Sequence, residues 1–361
     1  MALENKINIK TVDVSKVNFF IPLCYENALI TYGDTVKLEF RTGFISAWDF
    51  NYIEKKDSEK MGETIFDNYN LLDSMSKYCN LHCKFVEISK VDELLEIIDS
   101  NLQKKLPTII HIDSYYAPWS PIYGRTHTDH VGLVCDHNKK KKEIYIIDPG
   151  NSSEIKIINY DFLAEASKFY LYMDISNVTN KSKDFLKLYY FSNETKIKFI
   201  TKIKDFAYTF KNKFSPVKEF ENPNDVNNVL DSDMVIQIRK IIVGRNLFLV
   251  YLDSIKEEEK QFEKVIELLT VSISKWNMII NLFVKLAISG WSNNINEKIA
   301  NILYNIAEIE ERAYEWLLKY IEDFNYNEKF EIIVENLQSY PLDLTKYFNN
   351  KEKLINLKSN L

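Results

Sequence analysis

Residues 130–150, HVGLVCDHNKKKKEIYIIDPG, limit the fold more than any other stretch of the chain. Two runs rich in β-branched residues flank a tract of lysines, and Pro149 with Gly150 ends the second run. Apolar runs of this length, bounded by turn formers, read as strands. A short polar connection joins two such strands as an antiparallel hairpin. The pattern predicts one strand over 130–137 and another over 142–150, with Lys139–Lys142 as a solvated turn rather than a phosphate site. Such a hairpin sets the start of one strand beside the end of the other, and so sets His130 beside Asp148.

The segments before it extend the same picture. LPTIIHID (106–113) is a buried strand ending near Asp113, 83–88 is a short strand, and EIKIINY (154–160) adds a further one. Helices are expected over 24–32 with Gly33 as C-cap, over 66–79, and over 91–104, where Val91, Leu94, Leu95, Ile98 and Leu102 share one face. Helices followed by an antiparallel sheet make an α+β arrangement. Beyond about residue 180 the period changes. Segments 226–252, 255–289, 293–322 and 327–338 carry apolar residues three and four apart, as in Ile295, Ile299, Ile302, Leu303 and Ile306, with Asn293 or Asn294 as N-cap. A chain of 361 residues is long for one core. The expected organisation is a mixed domain over 1–180 and an all-α domain over 185–350, divided at the polar stretch SNVTNKSKD.

Composition excludes several classes. A net charge of −6 argues against nucleic acid as partner, and four cysteines do not form a disulfide framework. MALENKINIK lacks the apolar region of a signal peptide. WNMIINLFVKLAISGW (276–291) looks too short to span a bilayer and reads as a buried helix, so a cytoplasmic protein with no membrane association is expected.

The candidate chemistry starts at Cys24, where a helical apolar pattern begins. A thiol at a helix N-terminus is expected to have a lowered pKa, and the same N–H groups face an oxyanion. Asn18, six residues earlier, offers a second oxyanion donor. His130 is the candidate base and Asp148 the group that orients it, which makes a Cys–His–Asp set. Each residue also has a plainer reading. Free cysteine is among the most buried residue types, His127 or Asp129 could replace His130, and Asp148 before Pro149 could simply open a turn. Cys79, His82 and Cys83 in CNLHC lack the fourth ligand of a structural zinc site, so they read as a helix-to-strand junction and no metal is expected.

The combination is more specific than its parts. Residues 107–150 resemble the core of the butirosin-biosynthesis acyltransferase family, whose pattern is an early Cys at a helix start, a strand ending in Asp-x-Tyr-Tyr, a His opening the next strand and an Asp-Pro closing the one after. Here these are Cys24, Asp113 with Tyr115 and Tyr116, His130, and Asp148 with Pro149. Asn18 stands where papain-like enzymes place their oxyanion amide. The sequence CYENAL has no His or Gly just before the Cys, which departs from that pattern.

The resemblance implies a papain-like cysteine domain, like that of double-glycine leader peptidases, followed by a helical domain. It implies an ATP-independent acyltransferase, an amide synthase of natural-product biosynthesis. Such an enzyme takes an acyl group from the phosphopantetheine thioester of an acyl or peptidyl carrier protein onto Cys24 and passes it to a small amine. No cofactor of its own is implied, because the carrier partner supplies the pantetheine arm. Asp113, Tyr115, Tyr116, Trp119 and Tyr123 would line the acyl channel. Lys139–Lys142, or Lys196, Lys198, Lys202 and Lys204, would receive an acidic carrier. The competing readings are a papain-like peptidase or amidase, which would turn over in water, and a non-catalytic carrier-binding module with an inert Cys24.

Overall fold

A computed structural model describes residues 6–9, 11, 24–54, 60–150, 152–178, 186, 196–255, 261–292 and 294–322. The centre of the first half is a six-stranded sheet of β3 (His82–Glu87), β4 (Thr108–Asp113), β5 (Asp129–Asn138), β6 (Glu143–Asp148), β7 (Ser152–Asn159) and β8 (Phe169–Asp174). Its order is β3-β8-β4-β5-β6-β7, and every neighbouring pair is antiparallel. The hairpin stands as its sequence requires, with Leu133 opposite Ile147 and Val134 opposite Ile146. All six residues of β4 are buried. That is why TIIHID reads as an unbroken apolar run rather than an alternating one.

Helix α1 (Cys24–Val36) packs on β5, while α3 (Val91–Gln103) and α4 (Tyr160–Ala166) pack on the strands around β4. Two short strands, β1 (Asn51–Tyr52) and β2 (Ile65–Phe66), pair with each other. Helix α2 (Leu71–Cys79) starts at Asn70, whose side chain accepts from the Asp73 N–H. The helix expected from residue 66 therefore begins at 71, after β2. The Gly33 C-cap is also corrected. α1 continues to Val36, and Lys37 at φ 61° ends it. Gly33 serves a close approach instead, since a Cβ there would lie 2.7 Å from the Leu38 carbonyl oxygen and 3.0 Å from the Phe40 ring.

The second half is helical in the described residues: α5 (Lys196–Lys213), α6 (Pro216–Glu219), α7 (Val226–Leu230), α8 (Asp233–Ile255), α9 (Gln261–Ser289) and α10 (Ile295–Glu322). The segment expected as one helix over 226–252 breaks at Asp231 and Ser232, where the Ser232 hydroxyl takes the Val235 N–H. Residues 327–338 lie outside the described residues, as does Asn293. α9 overturns the length argument made on 276–291. It runs 29 residues and is long and apolar enough, by length and composition, to cross a membrane. It packs against α8 and α10 and buries Leu269, Trp276 and Phe283.

A buried polar clamp ties the two halves together. Arg245 on α8 gives two hydrogen bonds to Glu310 on α10, at 2.6 and 2.7 Å, and neither side chain is exposed. Glu310 also accepts from the indole of Trp48 at 3.0 Å, from Ser272 and from Trp276, while Arg245 donates to the Asp49 carbonyl at 3.1 Å. Trp48 and Asp49 belong to the first half, so one ion pair holds residues from both. Nearby, Gly244 lets α8 approach the backbone at Ala47, where a Cβ would sit 2.3 Å from the Ala47 oxygen. The Glu219 carboxylate on α6 accepts the N–H groups of Met61 and Gly62.

Candidate active site

The site is built where β5 begins and β6 ends. His130 is the second residue of β5 and Asp148 the last of β6. The His130 Nε2 lies 2.6 Å from Asp148 Oδ1. Two further donors hold that carboxylate: the indole Nε1–H of Trp119 reaches Oδ2 at 2.9 Å, and the Gly150 N–H reaches Oδ1 at 3.2 Å. With its Nε2–H directed at the carboxylate, the imidazole is fixed in one tautomer, and Nδ1 is the nitrogen on the opposite side, suited to exchange a proton. A Cβ on Gly150 would lie 3.2 Å from His130 Cε1, so the small residue after Pro149 lets the chain pass tightly beside the ring.

Three other His–Asp pairs test the choice of His130. His127 pairs with Asp113 at 2.7 Å and is largely exposed; His111 pairs with Asp129 at 3.0 Å, where Asp129 is largely exposed. His137 bonds Asp99 and the Tyr160 hydroxyl, pinning α3 and α4 to the sheet. Among these four pairs only His130–Asp148 is buried on both sides, at 7% and 0% exposure. His127 and Asp129 are thus committed elsewhere.

Cys24 opens α1 and is buried. Its setting differs from the sequence expectation in one respect. Burial first, then the charges of Glu26 and Asp148, push the thiol up to about 12, against the backbone N–H groups of Tyr25 and Cys24, which favour the thiolate. The helix N-terminus is present and acts in the expected direction, but burial and two carboxylates outweigh it. The resting group is a neutral thiol. α1 packs on β5, the strand that carries His130. Asn18, the expected oxyanion donor, lies outside the described residues.

The loop 114–128 carries the expected channel residues, and the structure gives most of them a partner. Asp113 accepts from the Tyr115 N–H and pairs with His127, so both of its oxygens anchor the base of the loop. Tyr115 stacks on the His127 ring at 4.2 Å, and Tyr116 meets Tyr115 edge-on. Trp119 packs on Phe162 while donating to Asp148, which makes it a positioning residue for the dyad. Tyr123 is exposed at 52%.

Sequence reasoning missed Glu26, Tyr69 and the second role of Trp119. Glu26 sits in the first turn of α1, and burial raises its carboxyl to about 7. The Tyr69 hydroxyl is buried without a hydrogen-bond partner among the described residues. Only the acidic residue two places after the Cys was visible as a signal. The CNLHC junction is as read: α2 ends at Cys79, Asn80 turns the chain at φ 53°, and β3 starts at His82. Among the described residues no three His, Cys, Asp or Glu side chains are grouped to hold a metal ion.

Residues 29–149 match the family model described as Butirosin biosynthesis protein H, N-terminal. The match spans about a third of the chain, and over that span the chain is similar to this family. It takes in His130 and Asp148 and begins five residues after Cys24. No curated protein matches the chain.

Proposed function

We propose that the protein is a papain-like cysteine acyltransferase that forms amides without ATP. Cys24 takes an acyl group from the phosphopantetheine thioester of a carrier protein and passes it to a small amine. The observation that carries this reading is the buried His130–Asp148 pair, which lies within the family match, together with Cys24 at the N-terminus of a helix that packs on β5. The finer resemblance is to the papain-like amide synthase of closthioamide assembly, which joins a carrier-bound thioamidated acyl chain to a diamine.

A thioester suits a neutral resting thiol. The thioester is already activated, so exchange onto Cys24 is close to isoergic and needs a base only as the sulfur attacks. His130 takes the thiol proton at Nδ1 and returns it to the departing pantetheine sulfur. Asp148, held by Trp119 and Gly150, stabilises the imidazolium between the two steps. Backbone N–H groups at the start of α1 face the oxyanion. In the second half an amine attacks acyl-Cys24, and His130 accepts a proton from it. Burial of Cys24 keeps water from the intermediate.

The enzyme itself needs no cofactor in this scheme, and the reaction belongs to the cytoplasm, where carrier proteins act. The lysine hairpin is a poor docking point for the arm. From His130 to the end of β5 at Asn138, at about 3.4 Å per residue, is roughly 27 Å, and Lys139–Lys142 follow beyond that end. Of the other basic group, Lys204 pairs with Glu311 and Lys202 with Asn51.

The test is a panel of acyl-pantetheine thioesters, with and without primary amines, read by mass spectrometry of the products. Amide with amine present, and little free acid without it, is the expected result. Free acid at the same rate in both would make the protein a hydrolase of the same chemistry. No turnover and no acylation would favour a binding module.

A further inference from the structure

β4 ends at Asp113 and β5 begins at Asp129, and the two residues stand opposite each other in the ladder. The chain between them, 114–128, carries Trp119, whose indole N–H holds Oδ2 of Asp148. A connection of this length has many conformations open to it. Something must fix the one in which the indole reaches the carboxylate.

Asp113 is placed to do so. Its side chain is buried at 5% exposure, while the His127 ring beside it is 62% exposed. Oδ1 accepts the Tyr115 N–H at 3.0 Å, just past the start of the loop. Oδ2 accepts from Nδ1 of His127 at 2.7 Å, just before the loop's end. One carboxylate therefore ties both ends of the connection. Tyr115 is held from three sides. Its N–H is on Asp113, its ring lies on His127 at 4.2 Å, and its carbonyl takes the Gly124 N–H at 2.9 Å. The last contact closes 115–124 on itself, and Trp119 belongs to that segment.

An Asp that accepts the N–H two residues on is an ordinary turn. That accounts for Oδ1 alone. The base of the loop is already closed by the Asp113–Asp129 register and by the Ser114 N–H on the Thr128 carbonyl at 3.0 Å. What the His127 contact adds is the direction in which the loop leaves the sheet. Support of the loop suits this buried carboxylate better than the channel wall expected of it.

We propose that Asp113 is a positioning residue for the His130–Asp148 pair, acting through His127, Tyr115 and the indole of Trp119. The proposal rests on the acyl-transfer reading for its kinetic consequence and on the contacts alone for the linkage. Asp113 sets the loop, the loop sets Trp119, Trp119 holds Asp148, and Asp148 orients His130. The competing support is the packing of Trp119 on Phe162, with ring centroids 5.8 Å apart, and the test separates the two.

The experiment is a double-mutant cycle on the full-length enzyme. Single-turnover loading of Cys24 by an acyl-pantetheine thioester is timed for wild type, Asp113→Ala, Trp119→Phe and the double variant. A single-turnover rate constant reads the enzyme that loads and not the amount that has folded. Asp113→Ala should slow loading about tenfold or more when Trp119 is present, and less than about threefold in the Trp119→Phe background, because residues that act through one another are not additive. His127→Ala should slow loading by a smaller factor, and it replaces Asp113→Ala in the cycle if that variant does not fold. Asp113→Asn should restore most of the rate, since its oxygen keeps the Tyr115 N–H and its amide donates to the other tautomer of His127. The second readout is the indole N–H signal of Trp119 in a proton–nitrogen correlation spectrum, recognised by its loss in Trp119→Phe. It should shift in Asp113→Ala and return in Asp113→Asn. Equal slowing in both backgrounds, or an indole signal unmoved by Asp113→Ala, overturns the proposal. If wild-type Cys24 never loads, the acyl-transfer reading falls, and the indole signal still decides the linkage.

Discussion

Glu310→Ala is the sharpest probe of how the two halves are held. The substitution leaves the guanidinium of Arg245, which has no exposed surface, without its counter-charge. It also leaves the indole N–H of Trp48 and the hydroxyl of Ser272 without their acceptor. Removing one partner of a buried ion pair costs about 3–5 kcal/mol, and each stranded neutral donor adds about 1 kcal/mol or more. A loss of about 5 kcal/mol is thus expected, a large part of the ~5–15 kcal/mol that holds a typical domain folded. Replacing the pair together, as Arg245→Met with Glu310→Leu, removes the uncompensated charge and should recover most of that loss. Urea denaturation followed by tryptophan fluorescence measures both, since Trp48 and Trp276 lie in the clamp. A loss under about 1 kcal/mol for Glu310→Ala would refute the reasoning. So would a double variant less stable than Glu310→Ala alone.

Other substitutions test single contacts. Trp119→Phe keeps a ring on Phe162 but removes the donor to Asp148; a hydrogen bond to a charged group contributes about 1.5–3 kcal/mol, so Cys24 acylation should slow by roughly 10- to 100-fold with little change in melting temperature. Gly244→Ala places a methyl group 2.3 Å from the Ala47 oxygen, which should cost at least about 1–3 kcal/mol in denaturant unfolding as α8 is forced outward. Glu26 has a folded-state pKa raised from 4.5 to about 7, so its contribution favours folding below pH 4.5 and is lost as pH rises through 7. At about 1.4 kcal/mol per pKa unit the upper bound is about 3 kcal/mol. Glu26→Gln should therefore stabilise the protein at pH 8 and do little at pH 4, as read by thermal melts at the two pH values. Because burial holds Cys24 up to about 12, its alkylation by iodoacetamide should keep rising between pH 7 and 10 rather than level off near pH 8.

The sheet was legible because its strands carry period and punctuation. TIIHID, HVGLV and EIYIID are apolar runs between turn formers, and each became a strand within a residue or two of its expected ends. The His130–Asp148 contact followed from hairpin geometry alone. β8 was missed because FYLYMD has little to mark its ends and pairs with strands distant in sequence, β3 and β4. α5 was missed because lysines crowd its helical period. The raised thiol of Cys24 was illegible for a different reason: a helix N-terminus is visible in sequence, but the burial that outweighs it is a property of the whole packed chain.

The central claim is that Cys24 carries the acyl group and that His130 makes it reactive. The most direct measurement is peptide mass spectrometry of the enzyme after brief exposure to an acyl-pantetheine thioester, for wild type and His130→Ala. The account predicts one acyl group on the Cys24 peptide of the wild type, gone when amine is added and amide appears, and at least about 100-fold slower loading in His130→Ala. Acyl groups spread over Cys79, Cys83 and Cys135 as readily as Cys24, or loading that does not depend on His130, would contradict it.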